Sequence, residues 1–248
     1  MPNIRQILIQ SPLARRLYDV YLILFRRTFF GGRMATCHNV GFLKEPRFQH
    51  AYRRALDRGS HGFAWNTKIV CWAVQQAMGL EGDLVECGTN RGSSVAAALE
   101  YVNWNSQRER TFYLFDTYQG VVRAQVTSAD KGAFKYPYVE CYEETRDYFA
   151  KYLGVKLVRG VVPESLSIVT INKVSFLHVD MNCAAPERAA LEYFWPRMCN
   201  GGLILFDDYG WRGYENQKLT HDDFAASVGH EVLPLPTGQG LLVCRKHG

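Results

Sequence analysis

The chain has 248 residues, 47% of them hydrophobic and 21% charged, enough apolar material for one substantial core and too much for extended disorder. Its 29 basic and 24 acidic residues leave a net charge of +5, too mild to point to nucleic acid. Seven cysteines (37, 71, 87, 141, 183, 199 and 244) are odd in number and include no C-x-x-C pair. They predict reduced core thiols in a cytoplasmic protein rather than a disulfide frame or a zinc site.

Residues 4 to 30 read as helical, interrupted at Pro12, and nearly all their charges are basic (Arg15, Arg16, Arg26, Arg27). They are expected to pack on the main domain or on a second subunit of a homo-oligomer; peripheral contact with an anionic membrane surface is the sharper alternative. These arginines interrupt any signal-peptide pattern, and no apolar run reaches the roughly 18 residues a membrane span needs. Residues 31 to 65 are loop-rich, punctuated by Gly31, Gly32, Gly41, Pro46 and Gly59. Residues 1 to 63 are thus expected to be an N-terminal extension and 64 to 248 the main domain.

An amphipathic helix is predicted from Thr67, as cap, to Met78, with Gly79 as its stop. The stretch Gly82-Asp-Leu-Val-Glu-Cys-Gly-Thr-Asn-Arg-Gly92 then reads as a strand, a glycine turn and the start of a helix over Ser93 to Tyr101. Such a corner offers free N–H groups and a positive dipole end to a ligand. The dinucleotide fingerprint G-x-G-x-x-G lacks its middle glycine here, so a pyrophosphate is the weaker expectation. Glu86, two residues before Gly88, suits a ligand with a cationic amine, and S-adenosylmethionine carries an amine and a sulfonium.

Strands follow over Thr111 to Phe115, Val155 to Val158, Val174 to Val179 and Leu203 to Phe206, with helices over Tyr142 to Leu153, from near Pro186 toward Cys199, and over Leu219 to Val228. A closing hairpin joins Glu231 to Leu235 and Gly240 to Cys244 through Pro236-Thr237-Gly238-Gln239. The alternation predicts an α/β fold: a mostly parallel sheet with helices on both faces and an antiparallel strand at the end.

In such sheets ligands lie beyond the carboxyl ends of the strands, and the strands here end in acids or glycine, with acids at Glu86, Asp116, Asp180, and Asp207 with Asp208. Asp116 lies near the offset of an acid that accepts hydrogen bonds from ribose hydroxyls. The expected cofactor side comprises Glu86, Gly88, Thr89, Asn90, Gly92, Ser93, Asp116, Thr117 and Gly160. Asp180, Asp207 and Asp208 would repel one another unless a cation held them, and an all-oxygen set suits Mg²⁺. Asp180 is also the candidate catalytic base. His178 reads as a hydrogen-bonded core histidine, His221 as a surface residue, and Trp211 as part of an acceptor pocket.

The chain resembles the macrocin O-methyltransferase (TylF) family over about residues 64 to 245. The likeness rests on Leu80-Glu81-Gly82-Asp83-Leu84-Val85-Glu86-Cys87-Gly88, Leu114-Phe115-Asp116-Thr117-Tyr118-Gln119-Gly120, Phe176-Leu177-His178-Val179-Asp180 and Gly201-Gly202-Leu203-Ile204-Leu205-Phe206-Asp207-Asp208-Tyr209-Gly210. The resemblance implies a Rossmann-like class I methyltransferase fold with a seven-stranded sheet, S-adenosylmethionine contacts at Glu86, Gly88 and Asp116, a Mg²⁺ site at Asp180, Asp207 and Asp208, and a sugar hydroxyl of a glycan or glycosylated natural product as acceptor. One departure is Asp180-Met181-Asn182-Cys183-Ala184, where better-known members carry Asp-Gly-Asp-Leu-Tyr; an asparagine cannot act as a base. Two rival readings are a non-catalytic cofactor-binding scaffold and an NAD- or nucleotide-sugar-dependent oxidoreductase.

Overall fold

The computed structural model describes residues 12–32, 34–106 and 110–246. Residues 4 to 11 of the expected N-terminal helix lie outside them. Pro12 opens the described part, helix α1 (Pro12–Phe25), where its missing N–H and fixed φ are tolerated. A small antiparallel hairpin, β1 (Phe29–Gly31) with β2 (Met34–Thr36), follows. The expected loop region then departs from expectation by holding helix α2 (Pro46–Asp57). Its signal was Pro46 at the first turn with Phe48, Ala51 and Ala55 at helical spacing, and these three are the buried residues.

The main sheet takes β3 (Asp83–Cys87), β4 (Phe112–Asp116), β5 (Val155–Arg159), β6 (Val174–Val179), β7 (Met198–Phe206), β8 (Leu233–Pro234) and β9 (Gly240–Val243) in the order β5-β4-β3-β6-β7-β9-β8. The first five are parallel; β9 runs antiparallel to both its neighbours, as the closing hairpin predicts. Helices α3 (Ala64–Ala77), α4 (Ser93–Tyr101), α5 (Tyr142–Phe149), α6 (Ala184–Phe194) and α7 (Glu215–Ser227) connect the strands. Alternation along each strand makes two cores. Leu84, Leu114, Phe176 and Leu205 pack under α3 and α4, while Val85, Phe115, Leu177 and Phe206 pack under α6 and α7. A smaller cluster of Ala51, Ala55, Cys71 and Ala97 ties α2 to α3 and α4.

Several boundaries move. Helix α3 begins at Ala64, so Thr67 lies inside it and its hydroxyl donates one turn back to the Phe63 carbonyl at 3.0 Å, which is not a cap. Helix α7 begins at Glu215 rather than Leu219, and β8 shrinks to two residues. Strand order reverses between β3 and β6, because the chain lays down β4 and β5 on one side before returning to the other. That switch point opens a crevice at the carboxyl ends of the strands.

Candidate active site

A cleft lies at that crevice, and eight of the nine residues expected on the cofactor side line it: Glu86, Gly88, Thr89, Asn90, Ser93, Asp116, Thr117 and Gly160. Gly92 is absent from the wall. It sits at φ +73 before α4, and a Cβ there would come within 2.4 Å of the Phe149 ring, so its work is in the turn. Gly88 is needed for approach: at φ +97, a Cβ on it would lie 1.9 Å from the Asp180 carbonyl oxygen. The ends of β3 and β6 can therefore close on each other, with Asp180 N–H donating to Cys87 O at 2.8 Å.

Asp116 organises the turn. One carboxylate oxygen accepts the Asn90 N–H at 2.6 Å; the other accepts the Tyr118 N–H at 2.6 Å and the Thr117 hydroxyl at 3.3 Å. Burial raises this carboxyl above its ordinary value, against the pull of those N–H groups. Asn90 and Tyr118 both take positive φ, 48° and 57°. For a residue as bulky as Tyr118 this is strained, and its buried side chain, donating to Leu114 O at 2.9 Å, holds it there.

Glu86 is 2% exposed and engaged from behind: its Oε1 lies 2.8 Å from His178 Nδ1. Its Oε2 is buried at the cleft wall beside the Thr89 hydroxyl, which helps hold the carboxyl down. His178 Nε2 stands 3.9 Å from Asp207 Oδ1, an electrostatic contact too long for a hydrogen bond. Burial opposes a charge on His178, but Asp207 and Glu86 overcome it and push its pKa to about 9. Burial raises the Glu86 carboxyl against the pull of His178, and the core reading of His178 holds. His221, expected at the surface, is instead 1% exposed, with Nε2 2.8 Å from Glu187 and its ring over Phe206. It is buried because α7 packs that face against α6, where Glu187 meets the ring.

Asp180, Asp207 and Asp208 all line the cleft. Asp207 accepts from Gln239 Nε2 at 2.9 Å, whereas Asp208 Oδ2 is buried without a partner. Burial and then the neighbouring acids drive Asp180 and Asp208 well above the usual carboxylate range. Donor chemistry and mutual repulsion fit a hard divalent cation. As placed, however, the described residues form no group of three ligating side chains drawn together around a metal position.

The far wall is aromatic, and most of it escaped sequence reading. Ser60, His61 and Phe63, from the α2–α3 connection, face Tyr136 and Tyr138 from the 117–140 segment and Trp211 and Tyr214 from the segment after β7. His61 stacks on Tyr136 at 5.0 Å and Phe63 on Trp211 at 5.7 Å. Asn182 joins two of these segments: its Nδ2 donates to Tyr138 Oη and its Oδ1 accepts from Tyr214 Oη, both at 3.1 Å. Trp211 is where the sequence put it; the others sit in irregular segments whose shape no periodicity encodes. Asp130, also unforeseen, fastens the 117–140 segment by accepting from Ala184 N–H at the start of α6 and from Asn216 Nδ2.

The chain is similar to known O-methyltransferases. A curated relative, the 8-demethyl-8-(2,3-dimethoxy-alpha-L-rhamnosyl)-tetracenomycin-C 4'-O-methyltransferase of Streptomyces olivaceus, is 25% identical over 153 residues, covering 56% of this chain and 57% of the relative. This chain thus spans little more than half the length of that relative. Among solved structures, the O-methyltransferase NovP superimposes with a TM-score of 0.63 at 21% identity, over 73% of this chain and 79% of NovP. The calicheamicin methyltransferase CalS11 does so with a TM-score of 0.53 at 19% identity, over 96% and 89%. These likenesses establish a methyltransferase fold. The profile of the macrocin-O-methyltransferase (TylF) family matches residues 68–229, well over half of the chain, and the protein belongs to that family.

Proposed function

We propose that the protein is an S-adenosylmethionine- and Mg²⁺-dependent O-methyltransferase acting on a sugar hydroxyl of a glycan or glycosylated small molecule. One observation carries the reading: at the switch point, the Gly88–Ser93 turn and Asp116 stand on one side of a single cleft, with Asp180, Asp207 and Asp208 on the other. The named acceptors of relatives, a rhamnosylated tetracenomycin and, for CalS11, TDP-rhamnose, favour a sugar.

When bound, S-adenosylmethionine supplies an electrophilic methyl group, and Mg²⁺ a positive charge that eases loss of a hydroxyl proton. The chain supplies the rest. The Asp116 carboxylate receives ribose hydroxyls, and Glu86 and Thr89 face the amino-acid end. Asp207 and Asp208, together with Asp180, would hold the cation. Asp180 takes the hydroxyl proton on a carboxylate oxygen. The aromatic wall excludes water and aligns the sugar for in-line transfer.

Calorimetric titration with S-adenosylhomocysteine, with and without Mg²⁺, tests this. Binding strengthened by Mg²⁺ supports it; no binding in either condition removes it. With the cofactor class secured, TDP-rhamnose and rhamnosylated aromatic compounds are the first acceptors to assay.

A further inference from the structure

Helix α1 stands apart from both cores: none of its fourteen residues is buried. Leu13, Leu17, Val20 and Leu24 are 53–69% exposed and, at 100° per residue, form one stripe that Tyr21 and Phe25 widen. Arg15 lies on the far face and Arg16 beside Val20, while Arg26 and Arg27 follow the helix end, where the Arg26 N–H donates to Leu22 O at 2.8 Å. Asp19 is the single acid between Pro12 and Arg27. Arg27 lies over the ring of Phe30, which is 73% exposed on the neighbouring hairpin and adds to the apolar surface beside the helix end.

We propose that α1 docks the protein on an anionic lipid surface, lying in the plane of the headgroups with its apolar stripe inserted and the arginines of residues 15 to 27 reaching lipid phosphates. At about 21 Å it is too short to span a bilayer, and no described helix is long and apolar enough to do so. A second copy of the chain is the poorer occupant. Pairing two copies would bring together two basic segments, each with four arginines and one acid between Pro12 and Arg27. An anionic membrane matches both the apolar stripe and the basic segment that carries it. This inference is independent of the methyltransferase reading and survives its failure.

The test is flotation of the full-length chain with phosphatidylcholine vesicles and with vesicles containing phosphatidylserine, at low and high salt. Binding is expected only to the phosphatidylserine vesicles, with release by salt. Arg26→Gln with Arg27→Gln should lower partitioning roughly 25-fold, at about fivefold per arginine. Leu17→Asp with Leu24→Asp should abolish binding while far-UV circular dichroism and melting stay unchanged, since both side chains are exposed. No flotation with phosphatidylserine vesicles at low salt overturns the proposal, as does flotation undiminished in the Leu17→Asp, Leu24→Asp protein. A concentration-dependent dimer that the same pair of substitutions converts to monomer also overturns it, by assigning the stripe to self-association.

Discussion

Glu86 and His178 are register partners on the neighbouring parallel strands β3 and β6, and their side chains meet at 2.8 Å behind the cleft, 2% and 0% exposed. The pair fixes the acid that faces the cofactor side and, through the second ring nitrogen, stands beside Asp207. Removing one partner leaves the other's charge buried and uncompensated. His178→Ala should therefore cost about 3–5 kcal/mol in urea unfolding, and Glu86→Gln with His178→Gln should recover a good part of it. A loss under 1 kcal/mol for His178→Ala would mean the two groups are neutral in the fold.

Asp180, Asp207 and Asp208 strain the metal-free protein by repulsion, with Asp180 and Asp208 both raised well above the ordinary carboxylate value. Asp208→Asn should raise the metal-free melting temperature while lowering methyl transfer by more than roughly a hundredfold, the loss of a few kcal/mol of charge stabilisation. Unchanged activity in this variant would sink the cation assignment.

Asp130 accepts from Thr127, Ala184 and Asn216. Burial works to raise its carboxyl, but those donors hold it below the ordinary 3.8. A carboxyl lowered in the folded state adds stability that is fully present above its unfolded value, about pH 4, and is lost progressively below it as pH falls through the folded value. Asp130→Asn should cost about 1–3 kcal/mol at pH 7 and make unfolding less dependent on pH below 4, as read by denaturation at a series of pH values. Equal pH slopes in the two proteins would contradict this.

Asn182 sits at φ +58, a conformation asparagine tolerates, and its amide gives to one tyrosine while taking from another. Aspartate could only accept, and it would add a negative charge beside Asp180. Asn182→Asp is expected to destabilise the protein by about 1–3 kcal/mol and to raise the pH at which transfer reaches half its maximum. A variant as stable as the parent, with the same pH profile, would show that the amide bridge is idle.

Gly88→Ala confronts both a positive φ and a carbonyl oxygen 1.9 Å from the new methyl. A loss of at least about 2 kcal/mol is expected, together with loss of S-adenosylhomocysteine binding in calorimetry.

Much of the fold was legible because it is local. Strand alternation at Leu84-Val85 and Phe176-Leu177 assigns each side chain to a sheet face, and the acids sit at strand ends, where parallel topology gathers ligands. What went unread depends on contacts between distant segments. Helix α2 is weakly apolar and is covered by α3 and α4; His221 is buried only because α7 meets α6 across Glu187; and the aromatic wall joins three irregular segments.

The sequence by itself determined the sheet's order of elements, the glycine corner at 88–92 and the row of acids at 86, 116, 180, 207 and 208, since backbone freedom, hydrophobic period and charge are properties of neighbouring residues. Only the tertiary structure decided that Glu86 answers to His178, that Gly92 shapes the turn without lining the cleft, that Asn182 bridges two tyrosines, and that α1 keeps its apolar stripe in the open. Each of these depends on burial and on which remote groups reach hydrogen-bond distance, and those are fixed when the layers close rather than along the chain.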